Sequence, residues 1–268
     1  MSNSIRKWVF VLIVPVLVLL VLKIVGAGGG HGVPLQHANI DVHDHKSLQN
    51  GAKYFVNYCM GCHSLKFNRY NRVAKDIGLN AENGFSEDDV AKLIKENLIF
   101  TRNEEGKPVK IGSLMENAYP AKAAKVAFGA TVPDLSLVGR SRGPDWIYSY
   151  LKGFYLDDSR PMGVNNTVFK DVGMPHVLWQ LQGWQAKEEA HGDGAEHHGA
   201  PKLTLVKPGS LSASEYDRVV RDLTAFLTYA SEPAQLSRKT IGIFVLIFLV
   251  IFFLVALALE KEYWKDIH

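Results

Sequence analysis

Twenty consecutive residues from Thr240 to Leu259, TIGIFVLIFLVIFFLVALAL, carry no charge. At about 1.5 Å of rise per residue, a helix of this length crosses roughly 30 Å of hydrocarbon, where every backbone polar group must be satisfied inside the segment. A core helix of a soluble domain is the alternative, but such a helix keeps a polar face. This run is apolar all round and is bounded by Arg238-Lys239 and by the tail EKEYWKDIH. We read it as a transmembrane helix, with Tyr263 and Trp264 suited to the membrane interface.

A second apolar block, Trp8 to Val25, follows a basic pair, Arg6-Lys7, and ends in the small residues Val25-Gly26-Ala27. That pattern fits a cleaved signal peptide, although Pro15 and Lys23 interrupt it and a retained N-terminal anchor is the other reading. Either one exports the segment 28–237. The expected organisation is therefore a leader or anchor over 1–27, an exported domain over 28–237, and a membrane anchor with a short tail over 238–268.

The formal net charge of +3 resides in the flanks, because residues 28–237 hold 23 basic against 24 acidic side chains. A domain without excess positive charge has no electrostatic footprint for nucleic acid. Two cysteines supply neither a disulfide scaffold nor a four-thiolate cluster.

Along the exported segment, VPLQHANIDVHDH reads as an extended connector or a strap across a surface. Leu48, Ala52, Phe55 and Val56 recur at helical spacing from Ser47 onward. Further helices are expected over 68–78, over 87–97 with Val90, Leu93 and Ile94 on one side, and from Pro144 to Tyr155 with Trp146, Tyr150 and Phe154 on one side. The stretches 101–132 and 157–175 read as irregular, punctuated by glycine and proline. Ser212 and Glu215 stand in capping-box spacing ahead of a helix from Ala213 to Ser231, whose buried stripe is Tyr216, Val219, Val220, Leu223, Phe226 and Leu227. Residues 186–201 are rich in His, Glu and Gly without apolar periodicity and read as a solvated loop rather than a metal site.

The most specific motif is Cys59-Met60-Gly61-Cys62-His63. Two thiols three positions apart on a helical turn suit thioether bonds to the two vinyl groups of a haem, and the adjacent imidazole suits the iron. A dithiol redox pair would leave His63 and the membrane anchor unexplained, and a zinc half-site has no further cysteine to complete it. A six-coordinate electron carrier needs a second axial ligand. Met60 is tied beside the attachment motif, which leaves Met115, Met162 in SRPMGVN and Met174 in DVGMPH among the methionines, with His176 or an open position as the other candidates. Gly173 and Pro175 favour the Met174 loop. Arg140 and Arg142 in VGRSRGPDW are candidates for pairing with haem propionates, with solvated surface arginines as the alternative.

Four blocks, GAKYFVNYCMGCHSLKFNRY, VPDLSLVGRSRGPDWIYSYLKGFY, RPMGVNNTVFKDVGMPHVLWQLQG and EYDRVVRDLTAFLTYASEPAQLSRKTIG running into the anchor, together resemble the cytochrome c1 family of the ubiquinol:cytochrome c oxidoreductase, or bc1, complex in its proteobacterial form. The resemblance implies a mainly α, class I-like c-type cytochrome domain with extended loops and a C-terminal transmembrane helix. It implies one covalent haem c held by Cys59 and Cys62, with His63 and Met174 as axial ligands, Arg142 at a propionate and Trp146 packed beside the haem. It further implies an electron-transfer subunit without substrate chemistry of its own. Such a subunit takes electrons from the Rieske iron–sulfur protein and passes them to cytochrome c beside cytochrome b, in a dimeric complex of the bacterial inner membrane with the haem domain in the periplasm.

Overall fold

The computed structural model describes residues 33–103, 105–117, 119, 121–129, 131–188 and 201–266. The chain divides into Met1–Pro34 and Leu35–His268, and all that follows concerns the second unit. The leader expected over 1–27 and the centre of the His/Glu-rich segment lie outside the described residues.

Helix α1, His45–Tyr54, starts where the Asp44 side chain accepts the N–H groups of Lys46 and Ser47, and it continues as a wider π turn over Phe55–Cys59. Its counterpart is α8, Ala213–Ser231, whose first turn is closed by the reciprocal bonds of Ser212 and Glu215. The stripe expected from the sequence, Tyr216 to Leu227, is buried. The two helices cross closely because Gly51 lies against α8: a Cβ built there would come within 2.1 Å of the Asp222 carbonyl oxygen. Phe55 and Phe226 pack beside the crossing with ring centroids 5.6 Å apart. The Asp222 carboxylate accepts from Ser47 Oγ at 2.7 Å and Asn50 Nδ2 at 2.6 Å.

Between these helices the chain forms β1 (Leu65–Arg69), α2 (Tyr70–Asp76), α3 (Glu87–Asn97), β2 (Leu114–Met115), α4 (Ala121–Phe128), α5 (Val138–Ser141) and α6 (Pro144–Lys152). The remaining elements are β3 (Phe154–Leu156), β4 (Val164–Asn166), α7 (Trp179–Gln182), β5 (Gly183–Lys187) and β6 (Leu203–Pro208). The strands form three separate antiparallel pairs, β1 with β2, β3 with β4 and β5 with β6. Helices α5 and α6 also lean on α8. Gly139 approaches Thr228 and donates its N–H to Ser231 Oγ at 2.8 Å, and Tyr216 Oη donates to the Leu151 carbonyl at 2.9 Å.

The fold is mainly helical, as expected, with differences confined to short elements. Asn68 and Arg69 belong to β1 rather than to the following helix. The stretch 101–132 contains β2 and α4, and 157–175 contains β4, which pairs with residues assigned from sequence to the end of α6. Helix α6 ends at Lys152, and its C-cap is glycine, Gly153, where a side chain would strike Thr167 Oγ1 and the Ser149 carbonyl. The connector is a strap: Gln36 N donates to Ser149 Oγ and Ala38 N to Asp145 Oδ1, both at 2.8 Å.

The apolar run lies in α9, Gln235–Tyr263, a 29-residue helix long and apolar enough to cross a membrane, and none of its side chains in the apolar stretch is buried. An uncovered apolar surface of that length is what lipid, not water, would solvate.

Candidate functional site

The π turn delivers the cysteines. Met60 N bonds the Phe55 carbonyl at 2.9 Å, and the Cys59 carbonyl then accepts both Cys62 N at 3.1 Å and His63 N at 2.8 Å. One tight turn thus carries both thiols and the imidazole. Cys59 is buried and Cys62 partly so, and neither is in a disulfide. Burial, with Cys62 nearby, pushes the Cys59 thiol up to about 12.

Past the turn, the motif is strapped to two loops. Leu135 N donates to the Ser64 carbonyl at 2.9 Å, Lys66 N to Asp134 Oδ2 at 3.0 Å, and Phe67 N to Ser136 Oγ at 3.1 Å. From the other side, Asn117 Nδ2 donates to the Cys62 carbonyl, Asn117 N to Ser64 Oγ at 2.9 Å, and Ser64 Oγ to Asn117 Oδ1 at 2.9 Å. The first strap sets His63. Its Nδ1 lies 2.8 Å from the Pro133 carbonyl oxygen, which can only accept, so Nδ1 carries the proton and Nε2 keeps its lone pair. Burial lowers the pKa of His63, against the Pro133 bond and the Asp134 charge, and favours the neutral imidazole that binds metals.

The methionines separate by environment. Met115 and Met60 are buried in the main core, Met60 with its sulfur 3.9 Å from Tyr70 Oη. Met162 and Met174 both pack against a second cluster of Phe154, Val164 and Val172. Met174 alone of these two receives a hydroxyl: Tyr150 Oη lies 3.3 Å from its sulfur. Tyr150 packs against both clusters, so it links the core containing Cys59 and Met60 to the loop containing Met174. Burial pushes its phenol pKa up.

That loop is shaped by two asparagines. Asn166 Nδ2 donates to the Tyr150 carbonyl at 2.7 Å while its Oδ1 accepts from Val168 N and Phe169 N. Asn165 Oδ1 accepts from Asp171 N at 2.8 Å, where the backbone takes a positive φ of 62°. His176 is buried, its ring stacked on Phe154 at 5.0 Å and set edge-on to Trp184 at 5.8 Å. Burial brings its pKa down to about 4, opposed by the nearby Gly183 backbone and Gln182 side chain.

Arg142, at the C-cap of α5, places its guanidinium 5.1 Å from the ring centroid of Trp146 on α6, and Trp146 stacks on Tyr150 at 4.9 Å and 9°. Arg140 and Arg142 are both exposed, and neither pairs with a carboxylate among the described residues. Two cysteines and an imidazole held by one nitrogen share one turn, and a thioether in an aromatic surround is linked to their core through Tyr150; these are the donor types a c-type haem takes.

Sequence reasoning passed over Pro133, Asn117 and the partnership of Tyr150 with Met174. Tyr150 stands four residues after Trp146 on one helix face, which was a readable signal. The Pro133 and Asn117 contacts join segments 53 to 70 residues apart and had none.

The family model described as the Cytochrome C1 family matches residues 36–198 and 204–267. The chain is 50% identical over 254 residues to a cytochrome c1 of Allochromatium vinosum, covering 94% of this chain and 96% of the relative. It is 43% identical over 252 residues to a Nitrosomonas europaea protein named ammonia monooxygenase gamma subunit, covering 94% and 97%. A Rhodospirillum rubrum cytochrome c1 is 29% identical over 250 residues, covering 84% and 83%.

Proposed function

The chain belongs to the cytochrome c1 family, and on that premise we propose that Cys59 and Cys62 attach haem c through thioethers, with His63 Nε2 and the Met174 sulfur as axial ligands. Proteins of this family carry electrons from the Rieske protein to cytochrome c within the bc1 complex, and this chain is such an electron-transfer subunit. Family identity implies a covalent haem c and a place beside cytochrome b and the Rieske protein.

The observation that carries the residue assignment is the bond from His63 Nδ1 to the Pro133 carbonyl at 2.8 Å. It fixes the tautomer and ring orientation and leaves the other nitrogen to a metal. Met174 is favoured over Met162 because its sulfur is held by Tyr150, and over His176 because that ring is held between Phe154, on which it stacks, and Trp184, to which it stands edge-on. Arg142 and Trp146 complete the reading. The guanidinium, held over the Trp146 indole, would supply charge for a propionate.

A haem c held this way supplies one-electron ferric/ferrous chemistry. The chain's own residues hold the ligands still, exclude water and present a docking face. No proton need be moved and no substrate bond broken. The helix α9 ties the domain to the bilayer, which replaces a three-dimensional search for the donor by local docking.

The proposal extends to topology and assembly: an exported domain over 28–237 in the periplasm, an anchor over 238–268, and one copy per protomer of a dimeric complex in the inner membrane. The Nitrosomonas relative's name concerns a different complex, whereas the family model and two of the three relatives described agree on cytochrome c1. Purification of the native chain tests this. Cytochrome b and the Rieske protein should copurify, and ubiquinol should reduce the c-type haem. Copurification with monooxygenase subunits and no quinol-driven reduction would reject it.

A further inference from the structure

Resting on the reading of Met174 as an axial ligand, we propose that the Tyr150 hydroxyl is a positioning residue that tunes the Met174–iron bond and raises the haem's reduction potential. Tyr150 Oη stands 3.3 Å from the Met174 sulfur, and that sulfur is its only hydrogen-bond partner among the described residues. A thioether sulfur has no proton to give, so the phenol donates. One sulfur lone pair is engaged by the hydrogen bond and the other is left for a metal.

The surroundings hold the phenol in that role. Its ring lies face to face with Trp146, 4.9 Å between centroids, and edge to face with Phe154 at 5.2 Å. Asn166 fastens its carbonyl, and the same asparagine caps the loop that leads to Met174. Donor and acceptor are therefore fixed by one set of contacts, which is the form that outer-shell control of a metal ligand takes.

The direction follows from electron demand. A hydrogen bond to sulfur draws density away from the ligand, and ferric iron, the more electron-poor state, loses more stabilisation than ferrous iron. The bond thus favours the reduced state. Hydrogen bonding to ligand atoms is one of the levers by which a protein sets a haem potential.

Tyr150→Phe removes the oxygen and keeps the ring in its stack. It is measured beside Met174→Leu and a control, Tyr155→Phe, whose hydroxyl bonds neither methionine. The readouts on the purified native complex are the midpoint potential and the methionine-to-ferric-iron charge-transfer band. We expect Tyr150→Phe to keep the band and lower the potential by less than Met174→Leu does, with Met174→Leu abolishing the band and the control unchanged. An unchanged or raised potential in Tyr150→Phe, or loss of the band there, overturns the tuning role while Met174 stands as ligand. Retention of the band in Met174→Leu overturns the ligand assignment and the tuning role together.

Discussion

Gly51 and Asp222 meet so closely where α1 crosses α8 that a Cβ on Gly51 would lie 2.1 Å from the Asp222 carbonyl oxygen and 2.7 Å from Phe226 Cβ. The obstacle is mainly backbone, so it cannot swing aside. Gly51→Ala should therefore destabilise the domain at or beyond the upper end of the about 1–3 kcal/mol typical of overpacking. Gly112→Ala, where an added Cβ meets nothing within 4 Å, is the control. Thermal unfolding of the full-length chain should show a fall of several degrees for the first variant only. Equal melting temperatures would mean that the crossing is looser than described.

The second prediction concerns pH. Asp217 joins α8 to α6 through Lys152 Nζ at 2.6 Å and Tyr148 Oη, and within α8 it also accepts from Arg221 at 2.6 Å. Burial would raise the Asp217 pKa, but the bonds from Lys152 and Tyr148 and the charges of Lys152 and Arg221 bring it below its ordinary value. A depressed carboxylate stabilises the fold above its unfolded pKa of about 4 and loses that contribution as pH falls through the folded value. Lys152 shifts upward: burial lowers it, and the Asp217 and Tyr148 bonds overcome this. Its contribution is complete below its unfolded pKa and is lost only in strong alkali. Asp217→Asn should cost about 1–2 kcal/mol near neutrality, between exposed and buried pairs. The gap from wild type in urea unfolding should shrink below about pH 4. A gap undiminished in acid would contradict the assignment.

Two local acidic pairs, Asp157–Asp158 and Glu104–Glu105, are candidates to steer a basic cytochrome c, and their members differ in environment. Asp157 is engaged, accepting from Ser159 N at 3.1 Å, Ser159 Oγ at 2.5 Å and Asn165 Nδ2 at 2.9 Å, which lower its pKa. Glu105 pairs with Lys107 at 3.0 Å, and Glu104 lies outside the described residues. Asp158 is exposed. Asp158→Asn should slow electron transfer to a basic cytochrome c at low salt and match wild type at high salt, since screening acts over about 8 Å at physiological ionic strength. Equal rates at low salt would remove Asp158 from the steering surface.

The elements legible in the sequence were those whose signal is local and repeated. The capping box at Ser212 and Glu215 and the stripe through Phe226 located α8, and Val90, Leu93 and Ile94 did the same for α3. Strands β3 and β4, of three residues each, offer too little alternation to register, and the hairpin β5–β6 was hidden because its partners flank the His/Glu-rich insertion. In the site, the thiols and His63 were readable from spacing alone. The carbonyl that orients His63 comes from a residue 70 positions away, and no side chain at Pro133 advertises a backbone oxygen.

Topology gives the fourth prediction. Arg238 and Lys239 precede the apolar run and Lys261 and Lys265 follow it, so positive charge alone does not orient α9. The proposed haem attachment on the exported side would place the tail in the cytoplasm. Lys265→Cys should resist a membrane-impermeant thiol reagent in cells with a permeabilised outer membrane and react once the inner membrane is opened. Labelling before that step would place the tail outside.

The central claim, a haem c bonded to Cys59 and Cys62, is tested most directly by the mass of the peptide that spans them in the purified native chain. The account predicts a peptide heavier by one haem, both thiols closed to alkylation, and a haem that stays with the protein through acid-acetone extraction. A peptide of unmodified mass with two alkylated cysteines, and haem released into the acetone, would contradict it.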